Sequence, residues 1–263
     1  MTKETIRTEI QHYLSQYQSS QQVTTRWKTP LVGFASAADP LFLKFKKVVA
    51  PTHLLPGDLL PDARTIIAFF MPFQESIVAS NLPGRLASPE WAKAYVDTNE
   101  LIQNLGQHLR RFLENYGHAA YATPATHNFD PKILLSDWSH RHIAFAAGLG
   151  RFGLNNMLIT EKGCCGRIGS LITTLALKPD TRTDGEACLF KHNGSCRKCL
   201  SRCVSGALSS TEFKRHACYD ILLENEQKHK AFGTTDVCGK CLVGLPCSNA
   251  DPVKRMKESR GNN

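Results

Sequence analysis

Eight cysteines between Cys188 and Cys247 constrain this 263-residue chain more than any other feature. They fall into two groups of four: Cys188, Cys196, Cys199 and Cys203, then Cys218, Cys238, Cys241 and Cys247. Each group contains a C-x-x-C pair, Cys196/Cys199 and Cys238/Cys241, whose two-residue spacer lets both sulfurs turn toward one metal ion or cluster. The chain opens on the polar Met1-Thr2-Lys3-Glu4 and acquires no apolar signal core, so a reducing, cytoplasmic setting is expected. Ten cysteines in that setting point to metal rather than to a disulfide framework.

The count separates the metals. A single zinc site would use the two pairs and leave four cysteines without a role, and the 38 residues between the pairs exceed the usual zinc loop of about 15–20. Two four-iron clusters use all eight. Bacterial two-cluster ferredoxins cross their ligands, the last cysteine of each run serving the other cluster. On that scheme Cys188, Cys196, Cys199 and Cys247 hold one cluster, and Cys203, Cys218, Cys238 and Cys241 hold the other. Zinc and inert thiols are the alternatives. The spacing departs from the ferredoxin run: Asn193 stands three before Cys196, Val204 follows Cys203, and Pro246 precedes Cys247. Cys164 and Cys165 read as ordinary turn cysteines, separate from the distal eight.

Composition excludes whole classes. With 42% hydrophobic and 21% charged residues the chain can bury a core and is not disordered. Its longest apolar run, Ile66 to Phe73, is eight residues against the roughly 20 of a membrane helix. The formal charge is +9, and two oxidised clusters at about −2 each would lower it to about +5. That balance fits a polyanionic partner such as RNA without demanding one, and a solvated basic surface is the better explanation.

Periodicity supplies the elements. Ile6, Ile10, Tyr13, Leu14 and Tyr17 share a helical face, and Thr65–Phe70 reads as a buried strand ending near Pro72. Ser88-Pro89 opens a helix whose stripe runs Trp91, Tyr95, Thr98, Ile102, Leu105, Leu109 and Phe112, with Gly117 just beyond. Ala119–Thr123, Met157–Thr160 and Ile168–Leu177 read as strands, the last two around a Gly-rich turn, and His140–Ala147 reads as a helix. The polar stretch Lys178–Gly185 marks a boundary. The expected plan is residues 1–180 as an α+β cofactor and substrate domain, 181–250 as a ferredoxin-like two-cluster domain, and 251–263 as a loose polar tail.

Several segments resemble the epoxyqueuosine reductases. Ala146-Ala147-Gly148-Leu149-Gly150-Arg151-Phe152-Gly153-Leu154-Asn155-Asn156-Met157-Leu158-Ile159 is similar to their A-G-L-G-x-x-G-x-N-x-x-L-I segment, and Gly169 to Leu177 to the strand that follows. Leu60-Pro61-Asp62-Ala63-Arg64-Thr65-Ile66-Ile67 and His216-Ala217-Cys218-Tyr219-Asp220 resemble further family segments. The resemblance runs from about 55 to 250 and extends more distantly to reductive dehalogenases. It implies a nitroreductase-like, cobalamin-binding-type α+β domain, followed by two [4Fe-4S] clusters that pass electrons from a low-potential donor to cobalamin and then to a substrate, in this family a modified tRNA nucleoside. Gly148, Gly150, Gly153 and Asn155 are the implied cofactor contacts. The family's proton-donating Asp falls on Leu134 here, and Asp137 and His140 are the nearby candidates for that role. The alternative is a two-cluster electron-transfer protein that binds no cobalamin.

Overall fold

The structure, a computed structural model, describes residues 1–20, 23–126 and 129–261. Its centre is an antiparallel four-stranded sheet in the order β1-β2-β8-β3, formed by β1 (Leu31–Ser36), β2 (Thr65–Pro72), β3 (Ala120–Ala122) and β8 (Gly166–Thr173). The run expected at 65–70 is β2, buried at every position because strands flank it on both edges and helices cover both faces. Alternation along it divides the core. Ile67, Phe69 and Met71 pack with α1 (Lys3–Ser20) and α5 (Pro89–Asn115), whereas Ile66 and Ala68 pack with α2 (Leu41–Val48) and α6 (His140–Ala146). Two short helices, α3 (Pro56–Leu59) and α4 (Glu75–Ser80), flank β2.

The α5 stripe is as its spacing predicts. Ser88 caps the helix by accepting the Trp91 N–H, Pro89 holds the first position, and Gly117 closes it at φ 79°. Thr98 is not its only buried polar member. Asp97 is buried as well, accepting Thr25 Oγ1 at 2.5 Å and pairing with Lys93, while Thr98 accepts the Trp27 indole N–H at 2.8 Å.

Two expectations change. The strands at 157–160 and 168–177 do not form a pair: β7 (Leu158–Thr160) pairs with β6 (Gly150–Phe152), and β8 pairs with β2 and β3. The turn between them is instead held to the cysteine region, through Cys164 N–H to the Cys247 carbonyl at 3.0 Å. The supposed loose tail carries α10 (Pro252–Gly261), with Val253 buried; residues 262 and 263 lie outside the described residues. A small hairpin, β4 (Phe129–Asp130) and β5 (Leu135–Ser136), precedes α6. Between 181 and 250 the described residues form α7 (Leu189–Asn193), α8 (Lys198–Arg202), α9 (Arg215–His229), a 3-10 turn at Lys230–Phe232 and no strand. The stretch at 178–185 is irregular but anchored: Asp180 takes Lys3 and Arg7 as ionic partners and accepts the Phe34 N–H. Among the described residues no helix is long and apolar enough to cross a membrane.

Three imidazoles surround the start of α6. His53 accepts the Ser139 N–H and faces the Leu54 carbonyl, His142 meets Ser139 Oγ, and His140 lies between Ser170 Oγ at 3.0 Å and the Pro124 carbonyl at 2.7 Å. Burial is the main cause that lowers all three pKa values, to about 4 for His140 and His142. The folded state then binds fewer protons than the unfolded chain between about pH 4 and the ordinary histidine value near 6.5, so stability is lost as pH falls through that window. The urea midpoint should therefore drop from pH 7 to pH 5, and His142→Phe should flatten the drop. A second test concerns Gly169, where an added Cβ would sit 2.4 Å from Phe69 Cε2 and 2.6 Å from Ile102 Cγ2. Gly169→Ala should cost about 1–3 kcal/mol by urea unfolding, whereas Gly57→Ala, with nothing within 4 Å, should be nearly neutral.

Candidate metal centre

The eight distal cysteines stand on short elements that bring them into two groups. Cys188 caps α7, Cys199 lies in α8 with Cys203 at its C-terminus, and Cys218 lies in the first turn of α9. Cys238, Cys241 and Cys247 come from a loop without regular structure that turns at Gly239 (φ 71°) and Gly244 (φ 72°). Cys188, Cys196, Cys199 and Cys247 line one cavity. Cys199 is raised to about 11, first by burial and then by the charges of Cys247, Cys188 and Cys196. Cys218 is likewise raised to about 11 by burial and then by Cys238 and Cys203. Cys241 interacts with Cys238, Cys218, Cys203 and also Cys199, which places it between the groups. Crowded, half-buried thiols of this kind do not ionise together alone; a multivalent cation at their centre supplies the missing stabilisation.

The cysteine loop is built onto the sheet domain. Asn81, fully buried, donates to the Cys238 carbonyl at 2.9 Å, and Asn155, 6% exposed, donates to the Cys241 carbonyl at 2.9 Å. Lys240, 1% exposed, sends its ammonium back to the carbonyls of Asn81 at 2.9 Å and Pro83 at 2.7 Å. Its charge and its backbone N–H both favour a Cys238 thiolate, against the larger upward push of burial. Gly239 is required by contact: a Cβ there would fall 2.3 Å from the Trp91 ring. The buried Trp91 Nε1 has no hydrogen-bond partner among the described residues, so a donor is left over beside the C-x-x-C loop. An acceptor-rich group such as a sulfide-bearing cluster suits that donor.

The glycine loop has a local explanation. A Cβ on Gly148 (φ 77°) would meet the Thr181 carbonyl at 3.0 Å, one on Gly150 would meet the Ile159 carbonyl at 2.2 Å, and one on Gly153 would meet Asn155 Oδ1 at 2.7 Å. Gly153 and Asn155 also line the cavity of the first sulfur group. The faces these residues would offer a flat cofactor are therefore occupied by the protein or turned to the sulfurs. Asp137 is exposed, accepts Thr52 Oγ1 at 2.5 Å, and its carbonyl takes the Leu54 N–H. His140 is neutral above about pH 4, donating from Nε2 to Pro124 O and accepting from Ser170 at Nδ1, a tautomer assigned from those partners. Leu134 holds a left-handed conformation, φ 55°, in the β4–β5 hairpin.

Sequence reasoning missed Arg141. Its side chain is exposed at the start of α6, and the surrounding protein lowers its pKa. The charges of Cys218 and Cys241 oppose that shift, and Arg167 and Arg215 add to it. Arg141 donates to the Asn156 carbonyl at 2.8 Å. The positive φ of Asn156 was the nearest local feature, and sequence spacing does not display it. Cys164 was also misjudged. It is not separate from the distal eight, because its N–H donates to the Cys247 carbonyl at 3.0 Å.

No family model matches the chain. An epoxyqueuosine reductase of Bacillus subtilis strain 168 is 28% identical over 164 residues, 59% of this chain and 38% of the relative. The chain thus spans well under half the length of that protein. A solved B. subtilis epoxyqueuosine reductase, with its catalytic aspartate loop swung out of the active site, gives a TM-score of 0.56 at 20% identity, covering 92% of this chain and 66% of that one. An epoxyqueuosine reductase solved with an epoxyqueuosine-modified tRNA-Tyr stem loop gives 0.55 at 20% over the same shares. The Streptococcus thermophilus enzyme gives 0.53 at 20%, over 94% and 69%. The chain is thus similar in sequence to an epoxyqueuosine reductase over 59% of its length and shares the fold of the solved epoxyqueuosine reductases.

Proposed function

We propose that the chain is an iron-sulfur oxidoreductase that draws electrons from a low-potential donor through two four-iron clusters and delivers them to an acceptor bound near Arg141. The ligand sets are Cys188, Cys196, Cys199 and Cys247 for the first cluster, and Cys203, Cys218, Cys238 and Cys241 for the second. The observation that carries this reading is the meeting of eight thiols in two groups, with Cys241 between them and the second group beside Arg141. Bound there, the clusters supply one-electron transfer at low potential. A lone zinc ion is disfavoured: its thiolates would close to roughly 4 Å of one another, and among the described residues no three His, Cys, Asp or Glu side chains gather round one ion-sized point.

The chain's own groups then have definite tasks. Asn81 and Asn155 fix the cysteine-loop carbonyls, and the Lys240 ammonium offsets anionic charge at the second group. Arg141 presents positive charge at an exposed position, which favours an anionic acceptor. A tRNA nucleoside is the substrate the relatives suggest, and the +9 formal charge is compatible with it. Removing an epoxide oxygen takes two electrons and two protons, leaves an alkene and releases water. Asp137, exposed to solvent, is the proposed proton source. His140, neutral with both nitrogens engaged, orients Ser170 and the 124 loop.

Cobalamin is the further group the family implies, and no step is routed through it, because packing takes up the faces of Gly148 and Gly150 and the sulfur cavity takes Gly153 and Asn155. That observation favours a second reading, a two-cluster electron carrier that binds no cobalamin. Adding cob(II)alamin to cluster-loaded protein tests the packing argument: an unchanged cob(II)alamin EPR spectrum is expected and fits the carrier, whereas a changed one shows that the chain does take a corrin.

The cluster assignment is tested by anaerobic reconstitution. About eight iron and eight sulfide per chain are expected, with Cys199→Ser and Cys241→Ser each losing about half the iron while circular dichroism stays unchanged. Zinc uptake, or iron unaffected by either substitution, contradicts it.

A further inference from the structure

The elements that carry the first sulfur group are charged with one sign. From Cys188 to Thr211 the chain has no Asp or Glu, while Lys191, Arg197, Lys198 and Arg202 are basic. Arg202 is taken up inside the protein, donating to the Lys240 carbonyl at 3.3 Å and the Leu82 carbonyl at 2.9 Å. Lys191, Arg197 and Lys198 are exposed, and among the described residues none of them has a carboxylate partner. Arg197 is oriented by stacking, its guanidinium 5.1 Å from the Phe190 ring centroid. These cations border Cys188 and Cys196, which line the cavity of the first group and remain partly exposed, and Leu189 and Pro246 give that cavity an apolar lip.

Elsewhere around the cysteines the charge is mixed. The helix α9, which carries Cys218 of the second group, also bears Asp220, Glu224 and Glu226. On α10, which packs against α7, Lys254 and Arg255 share a shallow pocket with Glu161, Asp251 and Glu258. A rim of one sign around an apolar centre attracts and orients a protein surface of the opposite sign.

We propose that the α7–α8 face docks an acidic, low-potential one-electron carrier protein, which reduces the first cluster across Cys188 and Cys196. The proposal rests on the cluster reading above and adds to it the point of entry and the charge of the partner. In each encounter the carrier loses one electron and the cluster gains it, with no bond made or broken. Electron transfer weakens steeply with distance, so a donor has to sit against the ligand shell, and Arg197 and Lys198 stand between Cys196 and Cys199 in the sequence. RNA is also drawn to positive charge, but this face adjoins the first group, whereas Arg141 lies near the second.

The test is anaerobic stopped-flow reduction of the reconstituted protein by reduced flavodoxin, a small acidic flavoprotein, at low and high salt. The wild-type second-order rate constant should fall about tenfold or more at high salt, where opposite charges are screened. Arg197→Glu/Lys198→Glu should lower the low-salt rate constant about tenfold or more and remove most of the salt dependence at full iron content. Lys44→Glu/Lys47→Glu, the same charge change on the exposed side of α2, should stay within about twofold of wild type. Should the double variant beside the ligands not load, Lys191→Glu carries the test, with a loss of about threefold expected. A loaded wild type that flavodoxin reduces at a salt-independent rate overturns the proposal, as does an equal loss in the α2 variant or a wild-type rate in the loaded α7–α8 variant. A wild-type flavodoxin rate accompanied by lost tRNA binding in a gel-shift assay assigns the face to RNA and overturns it too. Wild-type protein that takes up no iron fails the cluster reading itself, a different outcome.

Discussion

The attachment of the cysteine loop to the sheet domain is the constraint on which the rest of this molecule depends. A loop without regular structure cannot satisfy its own backbone, so its carbonyls need donors from elsewhere. Asn81 and Asn155 supply them at Cys238 and Cys241, and Lys240 returns the contact to Asn81 and Pro83. Gly239 against Trp91 and Gly163 against Ser248 bring the chains closer than any side chain would allow. The sulfurs are therefore placed by the whole α+β core, and through β2 and α5 by the residues that bury it.

This placement explains why the two sulfur groups have unlike surroundings. The first group shares a cavity with Gly153, Asn155 and Ile159, and the Cys164 N–H bonds the Cys247 carbonyl. The second has Lys240 beside Cys238 and the Arg141 charge near Cys218 and Cys241. Arg141 adds positive charge near the second group.

What the sequence disclosed, and what it hid, divides by range. The α5 stripe, the β2 run and the Ser88-Pro89 start follow from local periodicity and capping, and the C-x-x-C pairs announce metal chemistry. Asp97 and Lys240 were illegible because each is a polar residue whose burial depends on partners far away in the chain. Asp97 meets Thr25, and Lys240 meets Asn81. Cys164 looked like a turn residue since 83 positions separate it from Cys247. The strand at 158–160 was found but given the wrong partner, for its true neighbour, Gly150–Phe152, has too few residues to show alternation. The glycines of the 148–153 loop were legible as unusual, but only the structure shows the carbonyls and side chains that require them.

The central claim is that the distal thiols form two adjacent electron-carrying centres, and the EPR spectrum of the fully reduced, reconstituted protein tests it most directly. Two reduced clusters this close must couple magnetically, giving a broadened, complex spectrum at full reduction that simplifies to one ordinary signal in Cys241→Ser. A single uncoupled signal in the wild type, or none at all, would contradict the account.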